Sequence, residues 1–475
     1  MSFFKSDLFI LAFGKLIHLV FMFSAIKVYT TLLPDSEVGN LILILSVTMF
    51  FSLVFINPVG VFINRKLNKW VAEDTVWVAL FAFNFYVLLI SIFSLFVPAA
   101  LNYFKIGSNI NSLYFSFILF FFIIFNTWNQ TIIPALNLLF YRKEFVFFTL
   151  FSVFMYVSLA AIFVYFIEAK AHFWLLGQII GLGLGAIIST VYLYRKIPNT
   201  SVQLFRISTE GISGVFRFSS FIAISTVLLW FSGNAYKFVI EYNYGPEALA
   251  YIGLALTLAF SLVGAIETVV LQVYHAPYYS KISSTSSYLE RSAAFQELIN
   301  NTIPVVFGSI LALIAALPYL LVFLTDPRFY SILIYVIPAT IFEFFRVMTN
   351  ILGHAAQSEY KTSQNIKSYF LGFLVVVVGL AISISTVEWQ FAIILTLLIS
   401  WVTSFFFMYF TSKKLLDFSF PYHEIILIAV IFFPVLLLSY CFNELAFNLY
   451  FSFAFIFVIA AYSLLVLYKR YFIRA

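Results

Sequence analysis

Charge is scarce in this sequence. Only 10% of its 475 residues are Asp, Glu, Lys or Arg, whereas a soluble chain carries about a quarter. So few charges cannot cover a water-facing surface, which excludes an ordinary soluble domain. Cysteine is scarcer still. Cys441 stands alone, so the sequence offers no disulfide, no thiolate metal site and no redox pair. Also missing are the HExxH helix, the Walker A phosphate loop and any paired-carboxylate motif. No ATPase domain is present, so work across a membrane has to draw on an ion gradient or on the substrate's own gradient. No cleavable leader is evident either: Lys5 and Asp7 precede an apolar run too long for one, and the start reads as an uncleaved first span.

What is present is apolar. Hydrophobic residues make up 63% of the chain, with 63 Phe and 29 Tyr, and mean hydropathy is +1.04. Lipid is therefore the solvent over most of the surface. Fourteen apolar runs of roughly 20–28 residues follow one another, each long enough to span a bilayer with some tilt. Short turns such as LPDSEVGN (33–40), YNYGPE (242–247) and TDPRF (325–329) separate them. The expected fold is an all-α polytopic membrane protein. With both termini placed in the cytoplasm, the inside segments hold most of the 26 basic residues, among them Lys5, Arg65, Arg142, Arg206, Lys413 and Arg470. The outside loops hold only Lys105, Lys170 and Arg328, and lean acidic through Asp35, Glu37, Glu247, Glu388 and Glu444. A missed span would scramble this bias from that point onward. The net charge of +6 is thus topological and implies no nucleic-acid partner.

Two stretches are alike: LLPDSEVGNLILILSVTMFFSLV (32–54) and YNYGPEALAYIGLALTLAFSLVG (242–264). Each runs through a Pro- and acid-bearing turn into a Leu/Ile-rich span ending in Phe-Ser-Leu-Val. The spacing places spans 7–8 on spans 1–2. It predicts an N-terminal lobe over 1–200 (spans 1–6), a second lobe over 201–415 (spans 7–12), and spans 13–14 over 416–475. Parallel six-helix repeats hold their substrate between lobes.

Charges left inside spans are the candidate functional groups, because an ionised side chain at mid-bilayer costs on the order of 3 kcal/mol and usually faces a cavity. The basic set is Lys15, Lys27, Arg217, Lys237 and Arg346; the acidic set is Glu241, Glu267 and Glu343. Arg217 and Lys27 lie near enough to span ends to snorkel. Lys237 and Glu241, spaced i,i+4, can neutralise each other. Lys15 lies deeper and shares a face with His18. Glu267 has no partner one turn away and needs a base on another helix, or a proton. In FEFFRVMTNILGHAAQ (342–357), Glu343, Arg346, Asn350, His354 and Gln357 fall within an arc of roughly 80°. A self-satisfied Glu–Arg pair has no need of the polar track that continues below it. Span 4 carries a second track of Asn126, Gln130 and Asn137 beside Pro134, a predicted kink, and NPVG at 57–60 predicts another. Polar side chains of this kind also act as helix–helix glue.

The fourteen-span, six-plus-six layout, the YNYGPEALAYIGLALTL turn after span 7, and the basic residues inside spans 1 and 7 resemble the polysaccharide-transporter branch of the MOP (MATE-like) flippase superfamily, in the style of Wzx-type flippases. The resemblance implies translocation of an undecaprenyl-pyrophosphate-linked oligosaccharide (an O-antigen, capsule or exopolysaccharide unit) across a bacterial inner membrane by alternating access, with a cationic cavity and a lipid groove at the last two helices. It implies no enzyme activity and no cofactor beyond H⁺ or Na⁺ coupling. Its implied partners are the lipid-linked substrate, membrane lipids and other glycan-assembly proteins. On this reading Lys15, Arg217 and Arg346 receive the headgroup and Lys27 and Lys237 lie further along the path. Asn350, His354, Asn126 and Gln130 meet sugar hydroxyls, and Glu267 or Glu343 couples the ion. A MATE-like cation-coupled antiporter is the alternative, though it would favour an acidic cavity. A membrane enzyme of glycan assembly is a third reading, which the short outer loops disfavour.

Overall fold

The computed structural model describes residues 2–197, 209–282, 287–359, 361 and 363–467, without the side chains of 2–9, 12, 65, 209–214, 216–218, 221 and 276. Arg217, and the loop residues Lys5, Arg65, Arg206, Lys469, Arg470 and Arg474, therefore have side chains outside the described residues. Among the described residues all regular structure is helical, with no strand. In hydrocarbon no water satisfies a stray amide, and a helix closes its hydrogen bonds internally. In chain order the helices are α1 (Ser2–Leu32), α2 (Asp35–Phe51), α3 (Asn57–Ala72), α4 (Val76–Ser94), α5 (Val97–Tyr103), α6 (Ser112–Leu138), α7 (Arg142–Phe166) and α8 (Ala171–Lys196). They continue as α9 (Thr209–Lys281), α10 (Tyr288–Leu324), α11 (Leu333–Ser358), α12 (Ser363–Ser383), α13 (Trp389–Leu415), α14 (Tyr422–Cys441) and α15 (Leu449–Leu467).

Thirteen segments among the described residues are long and apolar enough to cross a membrane, and one of them, Ile222–Lys281, is 60 residues long. At ~1.5 Å per residue that is far more than one crossing needs. Gly245 breaks it, at φ 84° and ψ 175°, a conformation glycine tolerates because it has no Cβ. Its two legs bring the count to the fourteen expected spans. The expected turn YNYGPE is thus a sharp break in an otherwise continuous helix rather than an open loop. Pro246, just beyond the break, packs its backbone on Gly39: a Cβ at position 39 would lie 1.9 Å from the Pro246 carbonyl oxygen.

The NPVG kink takes a specific form. Ser52–Ile56 is one π-helical turn between α2 and α3, and the Tyr86 hydroxyl donates to the Phe55 carbonyl at 2.9 Å. A wide turn ahead of a proline frees a carbonyl from the ladder, and a side-chain donor satisfies it.

The packing falls into two compact units. One holds Met1–Trp230 and Lys237–Ala250, the other Phe231–Tyr236 and Tyr251–Ala475. These units record which helices pack together, whereas the expected lobes record a repeat in topology.

In the first unit α8 lies directly on α7. A Cβ at Gly177 would come within 2.3 Å of the Ala160 nitrogen, at Gly181 within 2.3 Å of the Tyr156 Cα, and at Gly185 within 2.2 Å of the Ser152 hydroxyl. Small residues at every fourth position allow that approach, since apolar burial alone does not drive helices together in lipid. Asn129 of α6 locks the seam, donating to Ser152 Oγ at 2.6 Å and to the Leu182 carbonyl at 3.0 Å. Glu37, in the first turn of α2, accepts the Ala171 amide at the start of α8 at 2.8 Å, where a carboxylate suits the helix dipole.

In the second unit α12 packs on α13, where Gly372 and Gly379 admit Ser404 and Thr396, and α11 packs on α13 as well. The hydroxyl of Ser439 on α14 donates to the Ala315 carbonyl of α10 at 2.6 Å, and Tyr319 donates back to the Ser439 carbonyl at 3.1 Å. Helices α14 and α15 are peripheral: 17% of each apolar window is buried, against 61% for α10. Their exposed faces carry Val430, Phe433, Phe453, Phe457 and Leu464.

The glycine seam yields the first prediction. Gly181→Val forces a side chain into the α7 backbone and lowers stability by about 1–3 kcal/mol. Gly60→Ala, where nothing lies within 4 Å of the new Cβ, leaves stability unchanged or slightly raised. Thermal midpoints of the purified variants in detergent test the pair, and equal midpoints would refute the seam.

Candidate functional site

The second leg of α9 and the middle of α11 bring four polar side chains into one cluster. On α11, positions three and four apart share a face, so Glu343, Arg346, Asn350, His354 and Gln357 run down one side. The other side, with Met348, Leu352, Ala355 and Ala356, is fully buried. The Arg346 Nε donates to the Glu343 carboxylate one turn earlier. Its Nη1 lies 3.0 Å from Glu267 Oε2 on α9. The other Glu267 oxygen accepts from Asn350 Nδ2 at 2.9 Å. The Phe260 ring lies 5.0 Å from the guanidinium carbon, within cation–π range. Glu267 thus finds a basic partner on another helix, one that only the fold brings near.

This triad is buried, with side-chain exposures of 5% for Glu343, 13% for Arg346 and 14% for Glu267. Two carboxylates face one guanidinium, and Arg does not give up its proton. With both acids ionised, one negative charge is left over in a low-dielectric setting, where an uncompensated charge is expensive. One more positive charge, a proton or a small cation, would balance it. The Arg346 Nη2 is buried without a hydrogen-bond partner and is the one guanidinium nitrogen that neither carboxylate engages.

Below the triad the polar face continues. His354 Nδ1 lies 2.9 Å from Gln357 Oε1, and the Tyr279 hydroxyl of α9 donates to the same oxygen at 3.0 Å. The His275 and His354 rings stand edge to face with centroids 4.2 Å apart. Sequence reasoning did not single out Tyr279, which looks like one more interfacial aromatic until α9 and α11 are paired.

The remaining candidates lie in the first unit. Lys15 and His18 share one face of α1, both half-buried, and no carboxylate faces Lys15 among the described residues. The His18 Nδ1 is buried without a partner. Lys27 and Lys237 are half-buried. Glu241 accepts the Gly107 amide at 2.8 Å, where Gly107 itself turns with φ 66°. Gln130 is exposed and Asn126 half-buried on α6, while Asn129, buried on the same helix, is a structural tie that sequence reasoning missed. Its signal was the Gly177, Gly181, Gly185 spacing of α8, which marks a helix close enough to need such a tie.

Comparison with solved structures bears on the fold. A lipid II flippase MurJ in an inward closed conformation superposes with a TM-score of 0.67 at 13% identity, covering 99% of this chain and 99% of that one. The fold is that of the MOP superfamily. An inward-facing multidrug resistance MATE transporter of that superfamily matches with a TM-score of 0.61 at 10% identity, over 84% of this chain and 95% of that one. A MOP superfamily transporter from Pyrococcus furiosus, described as having a binding pocket of reverse polarity, matches with a TM-score of 0.57 at 12% identity, over 86% and 96%. No protein family and no curated protein matches the sequence. At these identities the likeness is one of MOP architecture: a multi-pass membrane protein whose structural neighbours are transporters and flippases.

The triad makes its own prediction. Arg346→Ala leaves two carboxylates buried together and destabilises the protein by about 3–5 kcal/mol. Adding Glu343→Gln to the same chain recovers part of that loss, a coupling that a double-mutant cycle on thermal midpoints reads directly. Additive effects would show that the three groups do not share charge.

Proposed function

We propose that the chain is a flippase that carries an undecaprenyl-pyrophosphate-linked oligosaccharide across the bacterial inner membrane by alternating access. The observation that carries the reading is its match over 99% of both chains to a protein whose name makes it a lipid II flippase, set beside a cation, Lys15, that no carboxylate neutralises among the described residues. A diphosphate in a low-dielectric cavity binds such a cation strongly. Lys15, with Lys27, Arg217 and Lys237, forms the headgroup path. Asn126, Gln130, Asn350 and His354 meet sugar hydroxyls, and Arg346 offers its Nη2. Glu267 and Glu343 are the coupling site, where the missing positive charge enters and leaves. The apolar exteriors of α14 and α15 suit a polyprenyl tail. The protein is a transporter rather than an enzyme, lies with both termini in the cytoplasm, and works beside glycan-assembly proteins.

The lobes are 1–200 and 201–415, with 416–475 appended. Two observations support them. The turns that sequence pairs as equivalents meet at Gly39 and Pro246, as equivalents do near a two-fold axis. The helix pairings also correspond: α6 and α7 both pack on α8, as α11 and α12 both pack on α13.

A MATE-like cation antiporter is the second reading, favoured by the excess carboxylate at the triad. Lys15→Ala separates the two. It abolishes surface-glycan export while the amount of protein in the membrane stays unchanged, as read by glycan gels and membrane immunoblots. Normal export with this variant would sink the flippase reading.

A further inference from the structure

We propose that the coupling ion is the proton and that His275 and His354 form its relay between the triad and the Gln357 end of α11. The inference rests on the reading of Glu267 and Glu343 as the coupling site, and adds the identity of the ion and its route.

The placement is the first argument. His275 follows Glu267 by eight residues on α9, and His354 follows Arg346 by eight on α11. Both imidazoles therefore lie about 12 Å along the helices from the triad. Asn350, which donates to Glu267 at 2.9 Å, stands one turn before His354, within that interval. Exposure is greatest at the Gln357 end, with Glu267, Arg346, Asn350 and His275 partly buried. Glu343 is 4% exposed and His354 9%, whereas Tyr279 reaches 44% and Gln357 is also exposed. The track has a buried end and an open end.

The chemistry of the ring pair is the second argument. Gln357 Oε1 cannot donate, so at 2.9 Å it fixes the proton of neutral His354 on Nδ1 and leaves Nε2 as acceptor. The His275 Nε2 is buried without a hydrogen-bond partner, a state that a purely structural histidine avoids. Two imidazolium charges with rings 4.2 Å apart repel, so the pair holds one proton at a time. Imidazole takes a proton on one nitrogen and releases one from the other. A proton held on the Glu267–Glu343 pair as a carboxylic acid brings the charge of the triad to zero. On release it passes through His275 to His354 Nε2, and His354 gives up its Nδ1 proton at the Gln357 and Tyr279 end; uptake retraces these steps.

Among the described residues, the hydrogen-bonding groups that the other elements bring to this region are these. On α12, Asn365 Nδ2 is spent on the Gly353 carbonyl at 3.2 Å, with buried Tyr369 nearby. On α13, the Ser412 hydroxyl is spent on the Leu352 carbonyl at 2.8 Å. On α10, Arg291 is held by Glu359 at 2.6 Å. On α9 itself the neighbours are Tyr274, Tyr278 and Tyr279. Among the described residues no group of three or more His, Cys, Asp or Glu side chains could hold a metal ion.

Infrared difference spectroscopy of the full chain in phosphatidylethanolamine–phosphatidylglycerol bilayers tests this without a substrate. A light-triggered pH drop should raise a protonated-carboxyl band that Glu267→Gln or Glu343→Gln diminishes, and that is the same in sodium and choline chloride. The His275→Phe/His354→Phe double variant should reach the same final band about a hundredfold more slowly, with the amide I band reporting intact helices. His354→Gln and Tyr279→Phe, milder changes, should each slow it by a smaller factor. Equal rates in wild type and all of these variants overturn the relay while leaving the coupling site standing. A band that sodium suppresses overturns the proton as the ion. A carboxyl band that neither Glu variant alters overturns the coupling reading itself.

Discussion

Backbone hydrogen bonding in hydrocarbon is the constraint from which the rest of the structure follows. A lipid-facing segment has to satisfy its own amides, so it is helical, and every departure from a helix has to be compensated on the spot. Among the described residues, three departures show how this is met. The π turn at Ser52–Ile56 has the Tyr86 hydroxyl on a nearby carbonyl. The turn at Gly107 has the Glu241 carboxylate on its amide. The break at Gly245 uses the one residue type that tolerates its dihedral angles. Side-chain oxygens do the same on a smaller scale, as Ser439 does between α10 and α14.

The same environment makes charge informative. In water a Glu–Arg–Glu cluster would be an unremarked surface network. Buried, it is a group with one charge too few. The two regions of in-span charge differ in kind: among the described residues no acid faces Lys15, while Arg346 is bracketed by acids. A carrier that holds an anionic headgroup and is driven by a cation has use for both, on different helices, so that filling one need not neutralise the other.

Much of the architecture was legible because apolar run length and Lys/Arg placement are direct consequences of the bilayer. The fourteen spans, the α11 stripe and the distortion at NPVG follow from residues at known spacing. Legibility ended where partners come from distant sequence. Nothing in FEFFRVMTNILGHAAQ shows that Glu267, roughly 80 residues earlier, completes the Arg346 cluster, or that Tyr279 caps the His354 end. Nor does the i,i+4 spacing of Lys237 and Glu241 show that the Gly107 amide, from a turn far back in the chain, donates to Glu241. In span 4 the periodic polar residues Asn126 and Gln130 draw notice, while Asn129 on the adjoining face makes the buried tie. Periodicity marks a face without naming what the face meets.

The contact between Gly39 and Pro246 has a bearing on how such a chain can change over generations. With a carbonyl oxygen 1.9 Å from where a Cβ would sit, position 39 is closed to nineteen alternatives as long as the second turn stays put. Drift in one turn is permitted only when the other retreats. Two stretches far apart in the gene are thereby tethered as one inherited character. Insertions and deletions should accumulate elsewhere, in the connections that no opposing backbone inspects.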